Sequence, residues 1–315
     1  DWPHGVPTWP GRRTRSRGGR VPEPDVGPAA GADEPRLREE LARHPLTHSL
    51  AGARLTPLHG GLSNRAWRVE HGGDVWFARL GHPGAARLGV DRQAECRLLQ
   101  AVSAAGFAPG LRVCQPSSGL LVTRFVEGSQ WQAIDALQEG NLRRIGELLA
   151  GLHGLPVPAG LREVSYAQQA TRLGSALPHE DRPARELGHR AASIFERIDG
   201  RAPLAAVCHH DLHHLNILDD GRRLWLVDWE YGGRGDPLFD IAGFLALHDA
   251  DRGATALLLE SYGRLSSSDA ALLDQARWAF DYVQWLWYRV RFGDLPGPGR
   301  ETASRLAQRL LRCNN

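Results

Sequence analysis

Three oxygen-bearing side chains stand near one another late in the chain: Asp211, Asn216 and Asp228. The first two bound a polar loop within Val207-Cys208-His209-His210-Asp211-Leu212-His213-His214-Leu215-Asn216-Ile217-Leu218. The third ends an apolar run in Leu224-Trp225-Leu226-Val227-Asp228-Trp229-Glu230. Strands over 205–208 and 224–227 would make this a small hairpin, turning all three residues toward one mouth. An acid that takes or orients a hydroxyl proton, beside oxygen ligands for a hard cation that bridges phosphates, is what phosphoryl transfer requires. A lone D-x-x-x-x-N arises by chance in most chains this long. Strand, His-x-Asp, Asn, strand and Val-Asp-Trp-Glu in succession is a far more specific pattern.

Composition narrows the chemistry further. The 38 basic residues are all Arg, because the chain has no lysine; Met is also absent. A P-loop lysine, a Schiff base and a lysine general base are therefore excluded. Any phosphate clamp must use arginine or backbone amides. A net charge of +2 gives no ground for a nucleic-acid partner. The apolar fraction of 42% and charged fraction of 23% suit a soluble globular protein, and 315 residues suit one large domain or two ordinary ones. No apolar run approaches the ~18 residues of a membrane span and no leading stretch reads as a signal peptide, so a cytoplasmic location is expected. Cys96, Cys114, Cys208 and Cys313 are scattered without a CxxC pair and are expected to be inert thiols in a reducing compartment.

The elements that must position the three residues follow from periodicity. Residues 1–35 are rich in Arg, Gly and Pro and are expected to be a disordered tail. Residues 36–128 read as a nucleotide-binding lobe. It has a short helix over 35–42, strands over 55–58, 66–69, 75–80 and 120–126, and a helix over 89–105 ended by Gly106. Residues 129–315 read as a mostly helical lobe carrying the catalytic loop, metal site and substrate pocket. Its helices are expected over 141–153, 184–198, 238–248, 253–262, 268–292 and 300–312.

The segment around Asp211 resembles the catalytic and metal-binding loops of the aminoglycoside phosphotransferase and choline kinase family, distant relatives of protein kinases. Gly235-Asp236-Pro237-Leu238-Phe239-Asp240-Ile241-Ala242 is similar to that family's G-D-P-x-x-D-x-A run. The resemblance covers about residues 50–290. It implies an α+β, protein-kinase-like two-lobe fold, with a small antiparallel-sheet N-lobe holding one main helix and a larger helical C-lobe. It implies ATP and Mg²⁺ as cofactors, Asp211 as catalytic base, His209 as the residue propping the loop, and Asn216 and Asp228 as metal ligands. For Asp240, loop anchoring is the expected role. In the first lobe Gly60, Gly61, Leu62, Ser63 and Asn64 form a tight strand connection whose amides could approach phosphates. Arg79 stands where protein kinases place a lysine, Glu95 is placed to pair with it, and Phe125 to Gly128, with Glu127, looks like the adenine-holding hinge.

Gly61 to Val69, Leu88 to Arg92 and Val227 to Tyr231 resemble the choline and thiamine kinase branch most. Trp278, Tyr282, Trp285 and Arg289 follow one helical stripe, with Trp287 and Tyr288 alongside; such faces attract weakly hydrated cations, though a plain core stripe is the commoner meaning. Glu230 and Asp281 could add negative charge, giving Glu230, Asp281, Trp285 and Tyr288 as substrate-site candidates. The expected reaction moves the γ-phosphoryl group of ATP to a hydroxyl of a small cationic alcohol of thiamine or choline type, by a monomer or homodimer without nucleic-acid or membrane partners. Aminoglycoside or sugar phosphotransfer is the alternative within the family. The run His209-His210-Asp211-Leu212-His213-His214 keeps open a metal-dependent hydrolase, and a non-catalytic kinase-like module is the third reading.

Overall fold

The structure, a computed structural model, describes residues 33–58, 64–81, 89–178, 181–200, 205–293 and 295–312. The expected disordered tail, up to residue 32, and the turn residues Gly60, Gly61, Leu62 and Ser63 lie outside them. The chain divides into two compact units, one comprising the residues up to Gln130 with Leu218–Val227, the other Trp131–Ile217 with Asp228–Asn315.

The first unit is built on a five-stranded antiparallel sheet in the order β1-β2-β3-β5-β4. Its strands are β1 (Arg54–Leu58), β2 (Asn64–His71), β3 (Asp74–Gly81), β4 (Leu111–Gln115) and β5 (Leu120–Arg124). Gly72 and Gly73, with φ of 60° and 85°, form the two-residue connection of β2 to β3. Only a residue without Cβ takes that left-handed pair freely, which is why a Gly-Gly dipeptide sets this hairpin. Alternation then sorts β3: Trp76, Ala78 and Leu80 enter a core with Trp67, Val69, Val122 and the Leu37 and Leu41 side chains of α1 (Asp33–Arg43). Arg79 is left for the opposite face, where it meets α2 (Arg92–Ala104). The Asp91 carboxylate caps α2 by accepting from the amides of Gln93 and Ala94.

Two expectations are corrected in this unit. Cys96 of α2 and Cys114 of β4 form a disulfide, with Cα atoms 5.4 Å apart, instead of remaining thiols. Without β4, which the sequence pattern did not single out, nothing brought the two cysteines together. The expected hairpin of 205–208 with 224–227 does not form either. A three-stranded sheet runs β6 (Ser129–Gln130), β8 (Ile217–Asp219), β9 (Leu224–Leu226), so β9 takes β8 as its neighbour.

The second unit holds α3 (Ala133–Ala136), α4 (Glu139–Leu152), α5 (Tyr166–Gly174), α6 (Arg182–Asp199), α7 (Pro237–Leu247), α8 (Arg252–Tyr262), α9 (Ser267–Ala271), α10 (Leu273–Phe292) and α11 (Pro298–Arg312). Strand β7 (Ala206–Cys208) pairs antiparallel with β10 (Gly233–Gly235). Almost every side chain of α7 is buried, and α10 packs on it while also receiving α5, α6 and α11. The single helix expected over 268–292 is interrupted at Leu272, which separates α9 from α10, and Ser266 and Asp269 form the reciprocal cap that starts α9. Among the described residues no helix is long and apolar enough to cross a membrane.

The disulfide closes a loop with a sequence separation of 18. Loop closure of that length removes unfolded-state entropy worth about 3 kcal/mol. Alkylation of unreduced, denatured protein should leave Cys96 and Cys114 unlabelled, and reduction should lower the denaturation midpoint accordingly. Full labelling before reduction would show that the bond is absent.

Candidate active site

The loop after β7 is held from behind by one buried carboxylate. Asp240, in the first turn of α7, accepts from the backbone amides of His209 at 2.8 Å and His210 at 2.6 Å. His153, at the end of α4, reaches the same carboxylate through Nε2 at 3.1 Å, and its Nδ1 lies 2.9 Å from the Tyr262 hydroxyl. Burial alone would raise the Asp240 pKa; the His153 bond, nearby imidazoles and the His209 amide bring it well below the ordinary carboxylate range. The chain turns at His210 through a left-handed φ of 64°, rare for a residue with a branched ring side chain. The His210 ring lies so close to Gly235 that a Cβ there would sit 2.3 Å from Nε2. Cys208 and His209 are fully buried, and the His209 ring packs on Trp229 with centroids 4.5 Å apart.

This anchoring delivers Asp211 and Asn216. His209 Nδ1 accepts from the Asp211 amide at 3.3 Å, which fits a propping role. The Asn216 amide nitrogen donates to the Asp211 carbonyl at 2.8 Å and to its carboxylate at 3.3 Å. Those bonds use the Asn216 nitrogen and leave its side-chain oxygen out of them. Burial pushes the Asp211 carboxyl up to about 6, against the pull of His209 and the Asn216 bond. Asp228 is the second strained residue, with φ 61° ahead of a short 3₁₀ turn over Trp229–Tyr231. Such a conformation at a non-glycine residue costs about 1 kcal/mol and concentrates at functional sites. Arg162 fastens that turn by donating to the Tyr231 carbonyl at 2.7 Å. Oxygen donors from Asn216 and Asp228 are the set a hard divalent cation prefers, so these residues fit Mg²⁺.

An aromatic group stands by the same acid. Burial, then the charge of Asp211, pushes the Tyr288 hydroxyl up to about 12. Tyr231 is raised as well, by burial and then by Glu230, Asp211 and Asp228. Trp287 stacks edge-on against Tyr288 at 5.2 Å. The Trp287 indole N–H stands toward the Tyr231 hydroxyl and partly offsets the rise of its pKa, although the two buried atoms fall short of hydrogen-bond geometry. Glu230 is buried in the 3₁₀ turn. Two other substrate-site candidates lie within the helix packing. Trp285 is 1% exposed and lies in the stack Trp278–Tyr282–Trp285, a core stripe. Asp281 is buried in an ion pair with Arg309 of α11, so its charge is spent on joining α10 to α11. Tyr231, Trp287 and Arg162 had no place among the expected site residues. Tyr231 and Trp287 adjoin residues that did, whereas nothing in the pattern marks Arg162.

The histidine run does not converge as a metal cage. Among the described residues the single His/Cys/Asp/Glu group with metal-like spacing is His153, Cys208 and Asp240, all buried behind the loop. His210 faces Gly235, while His213 Nε2 lies 3.6 Å from Asp211.

In the first unit, Arg79 pairs with Glu95 at 2.8 Å, the two side chains being 4% and 0% exposed. Arg92 reaches the same carboxylate at 2.7 Å. Burial would raise the Glu95 pKa, but Arg79 and then Arg92 hold it below its ordinary value. Phe125 lies under the Arg68 guanidinium, 5.2 Å from the ring centre, and Arg68 also pairs with the exposed Glu127 at 3.2 Å. Gly128 has no room for a side chain, since a Cβ would lie 2.5 Å from the Asp219 carbonyl. Of the strand connection, only the backbone of Asn64 is described, as the start of β2.

A small antiparallel sheet with one principal helix, followed by a helical unit bearing this loop, is the protein-kinase-like fold. The family model described as the phosphotransferase enzyme family matches residues 54–280, and the chain belongs to that family. Protein LicA of Haemophilus influenzae is 28% identical over 211 residues, covering 64% of this chain and 61% of LicA. The match thus spans less than two thirds of that relative's length. A choline/ethanolamine kinase family protein from Mesorhizobium loti superposes with a TM-score of 0.73 at 22% identity, covering 88% of this chain and 93% of that one. Choline kinase LicA from Streptococcus pneumoniae gives a TM-score of 0.75 at 18% identity, covering 89% and 99%.

Burial pushes the imidazoles of His210 and His248 down to about 4. Their folded pKa values lie below those of the unfolded chain, so the unfolded chain binds more protons between about pH 6.5 and pH 4. This contribution to stability is complete above that window and is lost as the pH falls through it, by at most about 3 kcal/mol per histidine. His248→Gln should flatten the decline of Tm between pH 6.5 and 4.5. A decline as steep as in the parent would remove His248 from this account.

Proposed function

We propose that the chain is an ATP- and Mg²⁺-dependent kinase that phosphorylates a hydroxyl of a small cationic alcohol, of choline or thiamine type. The observation that carries this reading is the arrangement of Asp211 and Asn216 on one anchored loop, with Asp228 entering the turn that leads to Tyr231. Asn216 and Asp228 would hold the metal, which when bound supplies charge neutralisation for the transferring phosphoryl group. Asp211, partly buried and with its pKa raised toward neutrality, is suited to take the alcohol proton during attack. His209 and Asn216 keep that carboxylate in place, so most of the rate comes from positioning and electrostatics.

In the first unit, Arg79 with Glu95 would bind nucleotide phosphate, Gly61, Ser63 and Asn64 would add backbone amides, and Phe125 and Glu127 belong to the segment that would hold adenine. The absence of lysine leaves arginine as the available side-chain clamp. Tyr231, Trp287 and Tyr288, with Glu230 nearby, supply aromatic faces and negative charge, which suits a quaternary ammonium or thiazolium ion. The names of the relatives point the same way, toward choline. Dependence on ATP implies a cytoplasmic site of action, where the Cys96–Cys114 bond would have to persist against the thiol pool.

ATP consumption with Mg²⁺ should be measured against choline, thiamine, ethanolamine, an amino sugar and kanamycin. Turnover is expected with choline or thiamine. Asp211→Ala should lower kcat by at least about a thousandfold while leaving nucleotide affinity nearly unchanged. Asp228→Ala should weaken Mg²⁺-nucleotide binding as well. Near-normal turnover in Asp211→Ala would falsify the assignment, and turnover with kanamycin alone would replace the substrate class.

A further inference from the structure

Alternation puts Ala66, Arg68 and Glu70 of β2 on the same face of the sheet as Val75, Phe77 and Arg79 of β3. Ala66 stands opposite Arg79, and Arg68 stands opposite Phe77. The second pair is two residues from the first, about 7 Å along the strands. Phe125 follows at the end of β5, its amide donating to the Val75 carbonyl at 3.1 Å. The Arg68 side chain reaches across β3 to it and lies over its ring, 5.2 Å from the centre. One face of the sheet therefore carries the buried Arg79 at one end and a guanidinium stacked on an aromatic ring at the other. Ala66 and Phe77, which lie between, are only half-buried and form an apolar floor.

Arg68 is not built as a second phosphate clamp. It pairs with Glu70 on its own strand and with Glu127 at 3.2 Å, so the cluster carries one positive charge and two negative ones. That balance repels a triphosphate and is indifferent to a neutral, flat heterocycle. The two carboxylates hold the guanidinium against Phe125, and the side chain keeps 27% of its surface exposed. A planar guanidinium is a surface on which aromatic rings stack, and stacking gains from a plane already held in place. We infer that Arg68 is a nucleobase contact, the guanidinium on which the purine of ATP stacks while Arg79 marks the phosphate end of the same sheet face. The inference rests on the reading of Arg79 as the residue that binds nucleotide phosphate. The distance between the two ends suits the separation of base from phosphates in one nucleotide, and the two arginines thus divide its recognition.

The test compares a nucleotide with a bare phosphate chain, on the full chain with Mg²⁺. Arg68→Ala should raise the dissociation constant of adenylyl imidodiphosphate, and KM for ATP, about tenfold. The value of kcat should change much less, because the base is remote from the transferred group. The inhibition constant of inorganic tripolyphosphate, which has the phosphates without the base, should change less than twofold. Arg68→Lys keeps a charge for Glu70 and Glu127 but not the plane, so it should recover little of the lost affinity. Thermal melting should show both variants folded. Equal losses for the analogue and for tripolyphosphate would mean that Arg68 acts on the phosphates or on the fold. Full recovery by lysine would mean that charge alone counts, and unchanged affinity in Arg68→Ala would mean that the base lies elsewhere; any of these overturns the inference. Failure of the parent protein itself to bind the analogue would instead overturn the kinase reading, and this inference with it.

Discussion

The carboxylate of Asp240 sits out of water and still carries its charge, and the geometry of the catalytic loop follows from that. A buried anion needs donors, and the donors here are two consecutive backbone amides, those of His209 and His210, together with the ring of His153. Two amides on one carboxylate can be satisfied only if the chain bends sharply at that point, and His210 supplies the bend with its left-handed backbone. Asp211 is the residue that emerges from the bend. Its position is therefore set by a side chain on α7, and α7 is in turn fixed by burial along nearly its whole surface. The acid in front of the bend and the acid behind it have opposite electrostatics. Asp211 is partly buried with few compensating donors and its pKa rises, whereas Asp240 is fully buried with many and its pKa falls.

The same division between strain and support recurs at Asp228. Its positive φ turns the chain out of β9 into a 3₁₀ turn, and Arg162 ties the far end of that turn down through the Tyr231 carbonyl. A strained residue persists when its surroundings over-determine it. The surroundings here are residues 162–164, which run alongside β10: Val164 donates to the Arg234 carbonyl at 2.8 Å, and Arg234 donates to the Arg162 carbonyl at 2.8 Å. A segment without secondary-structure propensity thus becomes the edge that stabilises the turn after Asp228.

What could be read from the chain in advance divides along the same physical line. The Arg79–Glu95 pair and the meeting of Asp211 with Asn216 were legible because local spacing carries them: one helical face opposite one strand face, and a loop with its two ends. The helices were legible because their apolar periodicity is strong, as in α4, α6 and α10. Pairings between distant segments were not. Strands of three residues have too little pattern to choose partners, so β7 with β10 and β8 with β9 could not be told from β7 with β9. The Cys96–Cys114 bond depended on β4, whose register is interrupted between Leu111 and Val113. Asp281 and Trp285 could not be placed from the sequence, because a buried acid on an aromatic stripe has the same signature in a pocket and between two helices. The presence of Arg309 on α11, at a separation of 28 residues, decides that question for Asp281.

The all-arginine composition bears on the clamp in a way that a charge count does not. A lysine ammonium is a compact, strongly hydrated point charge, whereas a guanidinium is planar, delocalised and always charged. Guanidinium is also more weakly hydrated, so two of them can be buried against one carboxylate at a lower desolvation penalty. Arg79 spans both oxygens of Glu95 and Arg92 adds a bond to one of them, all three side chains being largely removed from water. Such a triad is expensive to bury if any member is left unmatched, and tolerable while the carboxylate always has a donor. Arginine at position 79, where protein kinases carry lysine, thus belongs to a buried cluster in which one carboxylate is held by two cations at once.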